Sequence, residues 1–181
     1  MINPKQILKV LLKQKIKFYT GVPDTTLKGF ITELMKLKSI SHRVAVNEGN
    51  AIGSAIGYYL ATKKVPLVYM QNSGLTNALN PILTLSKLYT VPMVLIIGWR
   101  GFPGVGPKGK KLDEPQHHHI GPSTKNLLSS SKLTTIVLNK KIYKKQLNEA
   151  VKFARKKSKI VVILVKRRIV DQYQPKLIKT K

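Results

Sequence analysis

The chain has 181 residues, 43% of them hydrophobic and 22% charged, which excludes a disordered polymer and fits one globular domain with a sizeable core. Its 33 Lys and Arg against seven Asp and Glu leave a net charge of +26, a field that attracts polyanions without specifying nucleic acid. It has no cysteine, which excludes disulfides, thiolate nucleophiles and Cys-ligated zinc, and no apolar run approaches the ~18 residues of a membrane span.

Residues 4–15 place Ile7, Leu8, Leu11 and Leu12 between lysines and read as an amphipathic helix. The segment has too short an unbroken apolar core for a signal peptide, so a soluble cytoplasmic protein is expected. "KFYTGV" (17–22) then reads as a strand, 24–37 as a helix, "RVAVN" (43–47) as a strand and 48–62 as a helix. "VPLVYMQ" (65–71) and "VPMVLIIG" (91–98) are strands flanking a helix over 74–88. Residues 99–125 are rich in Gly, Pro and His, show no period, and read as a long functional loop. "LTTIVL" (133–138), a helix over 141–157 and "IVVILVK" (160–166) complete the order. The strands are nearly continuous in apolar residues, as strands covered on both faces are. Their alternation with helices predicts an α/β fold, a doubly wound parallel sheet of about six strands with helices on both faces. Residues 1–170 form the expected domain and 171–181 a basic tail. From Lys132 onward 16 basic residues face only Glu149 and Asp171, the pattern of a solvated helix face and a loose end.

In such sheets ligands bind at the carboxyl ends of the strands. The segments there are "PDTTL", "EGN", "NSGLTN", "WRG" and "DEPQH", which hold much of the chain's unusual polar chemistry. Glu48 stands among apolar and glycine residues with no cation near it in sequence. A first-turn carboxylate suits the helix dipole, and that is its simplest structural role. Gly49, Gly53 and Gly57 share one helical face, which points to a close-packed backbone, either a neighbouring helix or a second chain. "QNSGLTN" opens a helix with exposed N–H groups but lacks the Gly-Lys-Ser/Thr of a P-loop. "DEPQHHHIG" joins carboxylates to three adjacent histidines. Adjacent histidines present a poor tetrahedral set and no HExxH spacing occurs, so no metal site is expected on this chain. A histidine there suits proton transfer near neutral pH, or is a solvated loop residue. Arg100, after the fourth strand, is either a bidentate oxyanion ligand or a surface arginine.

Together, "GVPDTTLKGF", "NEGNAIGSAIGYYLAT", "VPLVYMQNSGLTNALNP", "VPMVLIIGWRGFPG" and "DEPQHHHIG" resemble the N-terminal pyrimidine-binding domain of the phosphonopyruvate and sulfopyruvate decarboxylases, which depend on thiamine diphosphate. The resemblance spans about residues 5 to 170, and "YMQNSGLTNALNP" and "GWRG…DEPQH" are its specific parts. It implies that Glu48 meets N1′ of the cofactor's aminopyrimidine and favours the imino tautomer, whose N4′ deprotonates the thiazolium. A carboxyl group for this task is sheltered, with no cation locking it as a carboxylate. The resemblance also implies cofactor contacts from Asn72, Ser73, Gly74 and Leu75. Asp24, Thr25, Arg100, Gln116 and His117 would line the substrate pocket, with His117 relaying a proton. Arg100 or the Lys-rich loop would hold a phosphonate.

Two departures stand out. The insert "VGPKGKKL" (105–112) is longer and more basic than the family pattern and bears on loop closure. The Gly-Asp-Gly segment that holds Mg²⁺ and diphosphate in thiamine enzymes does not occur. The resemblance therefore implies an α-type subunit working with a separate diphosphate-binding β subunit in a hetero-oligomer with two or more copies of each chain. Its substrate would be 3-phosphonopyruvate, giving phosphonoacetaldehyde, or alternatively sulfopyruvate, the branch in which split subunits are familiar. A basic nucleic-acid-binding protein is the reading from another class, though no RRM, KH or zinc-finger pattern supports it.

Overall fold

The computed structural model describes residues 1–102 and 113–172. The insert at 105–112 and the tail from 173 lie outside them, so the expectations about loop closure and a loose end concern residues that are not described. The first described tail residue, Asp171, donates its N–H to the Ile2 carbonyl at 2.9 Å.

Helix α1 (Pro4–Lys13) starts where the Asn3 side chain accepts the Lys5 N–H and Pro4 presets the first turn. Strand β1 (Phe18–Gly21) leads through a 3₁₀ turn (Thr25–Leu27) into α2 (Lys28–Met35). Strand β2 (Ser41–Val44) precedes α3 (Glu48–Thr62). The strand expected over 43–47 ends early because Asn47 leaves the sheet to cap α3, its side chain accepting the Asn50 N–H at 2.9 Å. Strand β3 (Leu67–Gln71), a 3₁₀ turn (Asn72–Gly74) and α4 (Leu75–Pro81) follow, and a π turn (Ile82–Ser86) extends α4. Then come β4 (Met93–Trp99), α5 (His117–Ser130), β5 (Thr134–Val137), α6 (Tyr143–Lys157) and β6 (Ile160–Lys166).

The six strands form one parallel sheet in the order β2-β1-β3-β4-β6-β5. In β4, Val94 and Ile96 enter a core with residues of α1, α2 and α6, whereas Met93, Leu95, Ile97 and Trp99 join α3, α4 and α5. Burial on both faces makes the central strands apolar throughout, as expected. From β1 the chain runs outward to the edge strand β2 and then returns to β3 on the other side of β1. The loops after β1 and β3 diverge at that reversal, which is where open parallel sheets bind ligands. No helix among the described residues is long and apolar enough to cross a membrane.

One expectation is corrected. Residues 117–125, read as the end of an irregular loop over 99–125, open the helix α5 (His117–Ser130). Its inward residues are His117, Gly121, Thr124 and Leu128, a helical spacing, but three of them are polar or lack a side chain. A periodicity of apolar residues therefore cannot register it, and Pro122 inside the helix adds a false stop signal. Of the two readings of the glycine face of α3, close packing on a neighbouring helix is not found among the described residues at Gly53 and Gly57. Among the described residues a Cβ at Gly53 or Gly57 would meet nothing within 4 Å, and one at Gly49 would lie 3.3 Å from both the Asn47 side-chain oxygen and the Asn77 carbonyl.

Candidate active site

Glu48 is the first residue of α3 and is buried, at 9% exposure. The β2–α3 turn fixes it there, and the helix N-terminus favours its negative charge. Its Oε2 accepts a hydrogen bond from Asn77 Nδ2 at 3.1 Å. Its carboxylate rests on the backbone of Gly74, where a Cβ would collide with it. Among the described residues no Lys or Arg forms an ion pair with it.

The turn after β3 divides the four residues expected to line the cofactor ring. Ser73 is exposed, its Oγ receiving the Gln71 side-chain amide at 2.6 Å, and Gly74 abuts Glu48. Leu75 is fully buried in the core beneath α3 and α4. Asn72 is also fully buried, and its amide turns inward. Its Nδ2 donates to the Arg100 carbonyl at 2.9 Å and to Thr124 Oγ1 at 2.8 Å, and its Oδ1 accepts the Arg100 N–H at 3.0 Å. Asn72 thus ties the ends of β3 and β4 to α5.

A second group of side chains surrounds the ends of β1 and β4. Asp24 is 5% exposed and presses against Gly98, where a Cβ would strike its carboxylate. Neither of its oxygens receives a hydrogen bond. Burial pushes its pKa up to about 6; the Thr26 and Leu27 amides approach without hydrogen-bond geometry and, with Arg100, offset only part of that cost. Arg100 Nε donates to both oxygens of Asp113 at 2.9 Å, and Nη1 donates to Thr25 Oγ1 at 2.8 Å. Burial opposes ionisation of Asp113, but the Arg100 guanidinium and the Gly101 and Glu114 N–H groups outweigh it and hold the carboxyl well below the usual range. Gly101, at φ +62°, turns the chain where a Cβ would collide with the His117 carbonyl. His117 is buried and its Nδ1 has no partner. Burial, then the Arg100 charge, lowers its pKa, so the imidazole is neutral at neutral pH. His118 Nε2 donates to the Asp113 carbonyl at 2.8 Å, and Gln116 is exposed just before α5.

The fold therefore gathers the residues expected at the site into two neighbouring groups. Glu48 and Gly74 lie with Asn77 at α3 and α4, and Asp24, Thr25, Arg100 and His117 lie at β1, β4 and α5. Asn72 joins the groups through Arg100. Sequence reasoning missed Asn77 and Thr124, for which no motif signals, and left Asp113 without its partner. Among the described residues no three His, Asp or Glu side chains cluster to hold a metal ion.

A parallel α/β sheet whose C-terminal edge carries a sheltered carboxylate over a glycine turn defines a small-molecule-binding domain. The chain belongs to the thiamine pyrophosphate enzyme family, with residues 4–125 matching its N-terminal TPP binding domain. It is 39% identical over 95 residues to a sulfopyruvate decarboxylase subunit alpha from Methanococcus maripaludis, covering 52% of this chain and 56% of the relative. It is 32% identical over 127 residues to a phosphonopyruvate decarboxylase from Streptomyces hygroscopicus, covering 70% of this chain and 30% of that protein. The chain thus spans little more than half of the first relative and under a third of the second. The fold resembles a thiamine diphosphate-dependent 4-hydroxybenzoylformate decarboxylase from Rhodococcus jostii with a TM-score of 0.71 at 19% identity, covering 96% of this chain and 31% of that one.

Proposed function

We propose that the chain is an α-type subunit of a thiamine-diphosphate-dependent decarboxylase that converts 3-phosphonopyruvate to phosphonoacetaldehyde and carbon dioxide. A separate β subunit holds the diphosphate and Mg²⁺. The observation that carries this reading is the Glu48 carboxyl, buried at a helix N-terminus against Gly74 and without an ion-pair partner among the described residues. That setting fits an aminopyrimidine: the carboxyl can share a proton with a ring nitrogen, and Gly74 leaves room for the carboxyl to lie where it does. Relatives named as α subunits support a partner chain.

When bound, thiamine diphosphate supplies the electron sink for the pair left behind by carbon dioxide. The chain's own residues do the rest. Glu48 holds the ring nitrogen and its proton. Ser73 and Gly74 form the floor beside it, and buried Asn72 and Leu75 keep that floor rigid. His117, neutral with a free Nδ1, exchanges a proton with the substrate. Asp24, whose carboxyl keeps its proton well above the usual range, lies against Gly98 at the end of β4. Asp113 clamps Arg100 against Thr25 and fixes the orientation of its guanidinium at the substrate end. Gln116, exposed before α5, faces the substrate.

Sulfopyruvate is the second reading, favoured by the 39% identity to a chain that carries that name. The test is carbon dioxide release from both acids with thiamine diphosphate and Mg²⁺, using this chain alone, with its β subunit, and with Glu48→Gln. Release only with the partner, lost in Glu48→Gln, is expected, and the faster acid names the substrate. No release from either acid by a confirmed complex overturns the reading.

A further inference from the structure

The hydrogen bond from Asn77 makes the two oxygens of the Glu48 carboxyl unequal. Oε2 accepts Asn77 Nδ2–H at 3.1 Å. Oε1 lies over Gly74 and receives no hydrogen bond among the described residues. Unlike both oxygens of Asp24, it is not sealed from solvent. Asn77 stands on α4 between Leu75 and Ala78, which are fully buried, so the core fixes its backbone while the residue itself is exposed. Neither α4 nor the turn Asn72–Gly74 carries an ionisable side chain, and α3 adds only Tyr58 and Tyr59 toward its other end. Among these elements Glu48 is the one carboxyl, and Asn77 is its one hydrogen-bond donor.

We propose that Asn77 is a positioning residue for Glu48: it pins Oε2 and leaves Oε1 as the oxygen that exchanges a proton with the ring nitrogen. This rests on the decarboxylase reading above. An amide N–H only donates, so the oxygen that it engages must present a lone pair. A proton carried by Glu48 therefore belongs on Oε1. The same N–H suits Oε2 in both protonation states, so the proton comes and goes without rearrangement of the pair. A lysine in this place would lock the carboxylate in its charged form. A hydroxyl, which both donates and accepts, would not tell the two oxygens apart.

The contact is tested on the full chain without cofactor. The side-chain amide signals of Asn77 are assigned in NMR spectra by their loss in Asn77→Leu. Glu48→Gln removes the charged acceptor and is expected to move one of the two Nδ2 protons upfield. Unmoved signals overturn the contact. In the assembled complex, Asn77→Leu is expected to lower kcat about tenfold or more with KM within about twofold, since the loss falls on the proton transfer and not on substrate binding. Asn77→Asp keeps the shape but donates only while the new carboxyl holds its proton. Its kcat relative to wild type is expected to fall about tenfold or more as pH rises from about 5.5 to about 8, when two carboxylates would face each other. A merely structural role would not give that profile. Wild-type kcat in Asn77→Leu, a change confined to KM, or a constant ratio in Asn77→Asp overturns the proposal and leaves the decarboxylase reading standing. No turnover of either acid by the wild-type complex overturns the decarboxylase reading, and the role of Asn77 falls with it even where the NMR contact is present.

Discussion

Replacing Asp24 by Asn tests the electrostatics of the site through stability alone. Asp24 is 5% exposed, neither carboxylate oxygen receives a hydrogen bond, and burial pushes its pKa up to about 6. In an unfolded chain an Asp titrates near ~4. Below about pH 4 both states hold the proton and the group adds no pH dependence. As pH rises from about 4 to about 6 the unfolded state ionises first, so the folded state loses stability. Above about pH 6 the full penalty is in place, and a displacement of about two pH units corresponds to ~3 kcal/mol. The nearest cation, Arg100, is already committed to Asp113 and offsets only part of it. Asn keeps the shape and removes the charge. Denaturant unfolding of both proteins from pH 4 to pH 8 is the assay. Relative to wild type, Asp24→Asn should gain about 3 kcal/mol between pH 4 and pH 7, whatever constant offset its amide introduces. A difference that stays flat across that range refutes a buried, destabilised carboxyl at this position. A stabilised variant with lowered turnover would show stability given up for a proton-carrying group.

Gly74→Ala places a methyl against the Glu48 carboxylate at an ordinary negative φ, so it should lower kcat of the assembled complex by about tenfold or more while costing roughly 1–3 kcal/mol in thermal unfolding; full activity would show that Glu48 is free to move. Asn72→Ala leaves the Arg100 carbonyl and N–H and the Thr124 hydroxyl without this partner, and chemical denaturation should show a loss of about 3 kcal/mol or more. Gly53→Ala and Gly57→Ala meet open space among the described residues, so each should stabilise the isolated chain by about 0.5–1 kcal/mol. Gly53→Leu should leave that chain folded yet weaken assembly with the β subunit, measured by sedimentation, if the bare glycine face is where the partner docks.

The sheet was legible because burial on both faces writes itself into β3, β4 and β6 as unbroken apolar runs. The same physics hid α5, whose buried face is built from His117, Gly121 and Thr124, residues that pack without being apolar. Glu48 was legible for a related reason: a lone carboxylate between apolar and glycine residues is conspicuous in a chain with only seven acids. The role of Asn72 was not, because its three hydrogen bonds reach residues 28 and 52 positions away. Arg100 was visible as an arginine after a strand, but its clamp by Asp113 needed the turn at Gly101 to bring the two together. Local pattern by itself determined the α/β class, the order of strands along the chain and the candidate residues at their ends, since each depends on neighbours within a few positions. Only the tertiary structure decided that the glycine face of α3 is open among the described residues, that Asp24 is buried without a hydrogen-bond partner, and that Asn77 reaches Glu48. Those facts depend on which strands lie side by side, and the order β2-β1-β3-β4-β6-β5 is set by long-range packing that no short stretch of sequence records.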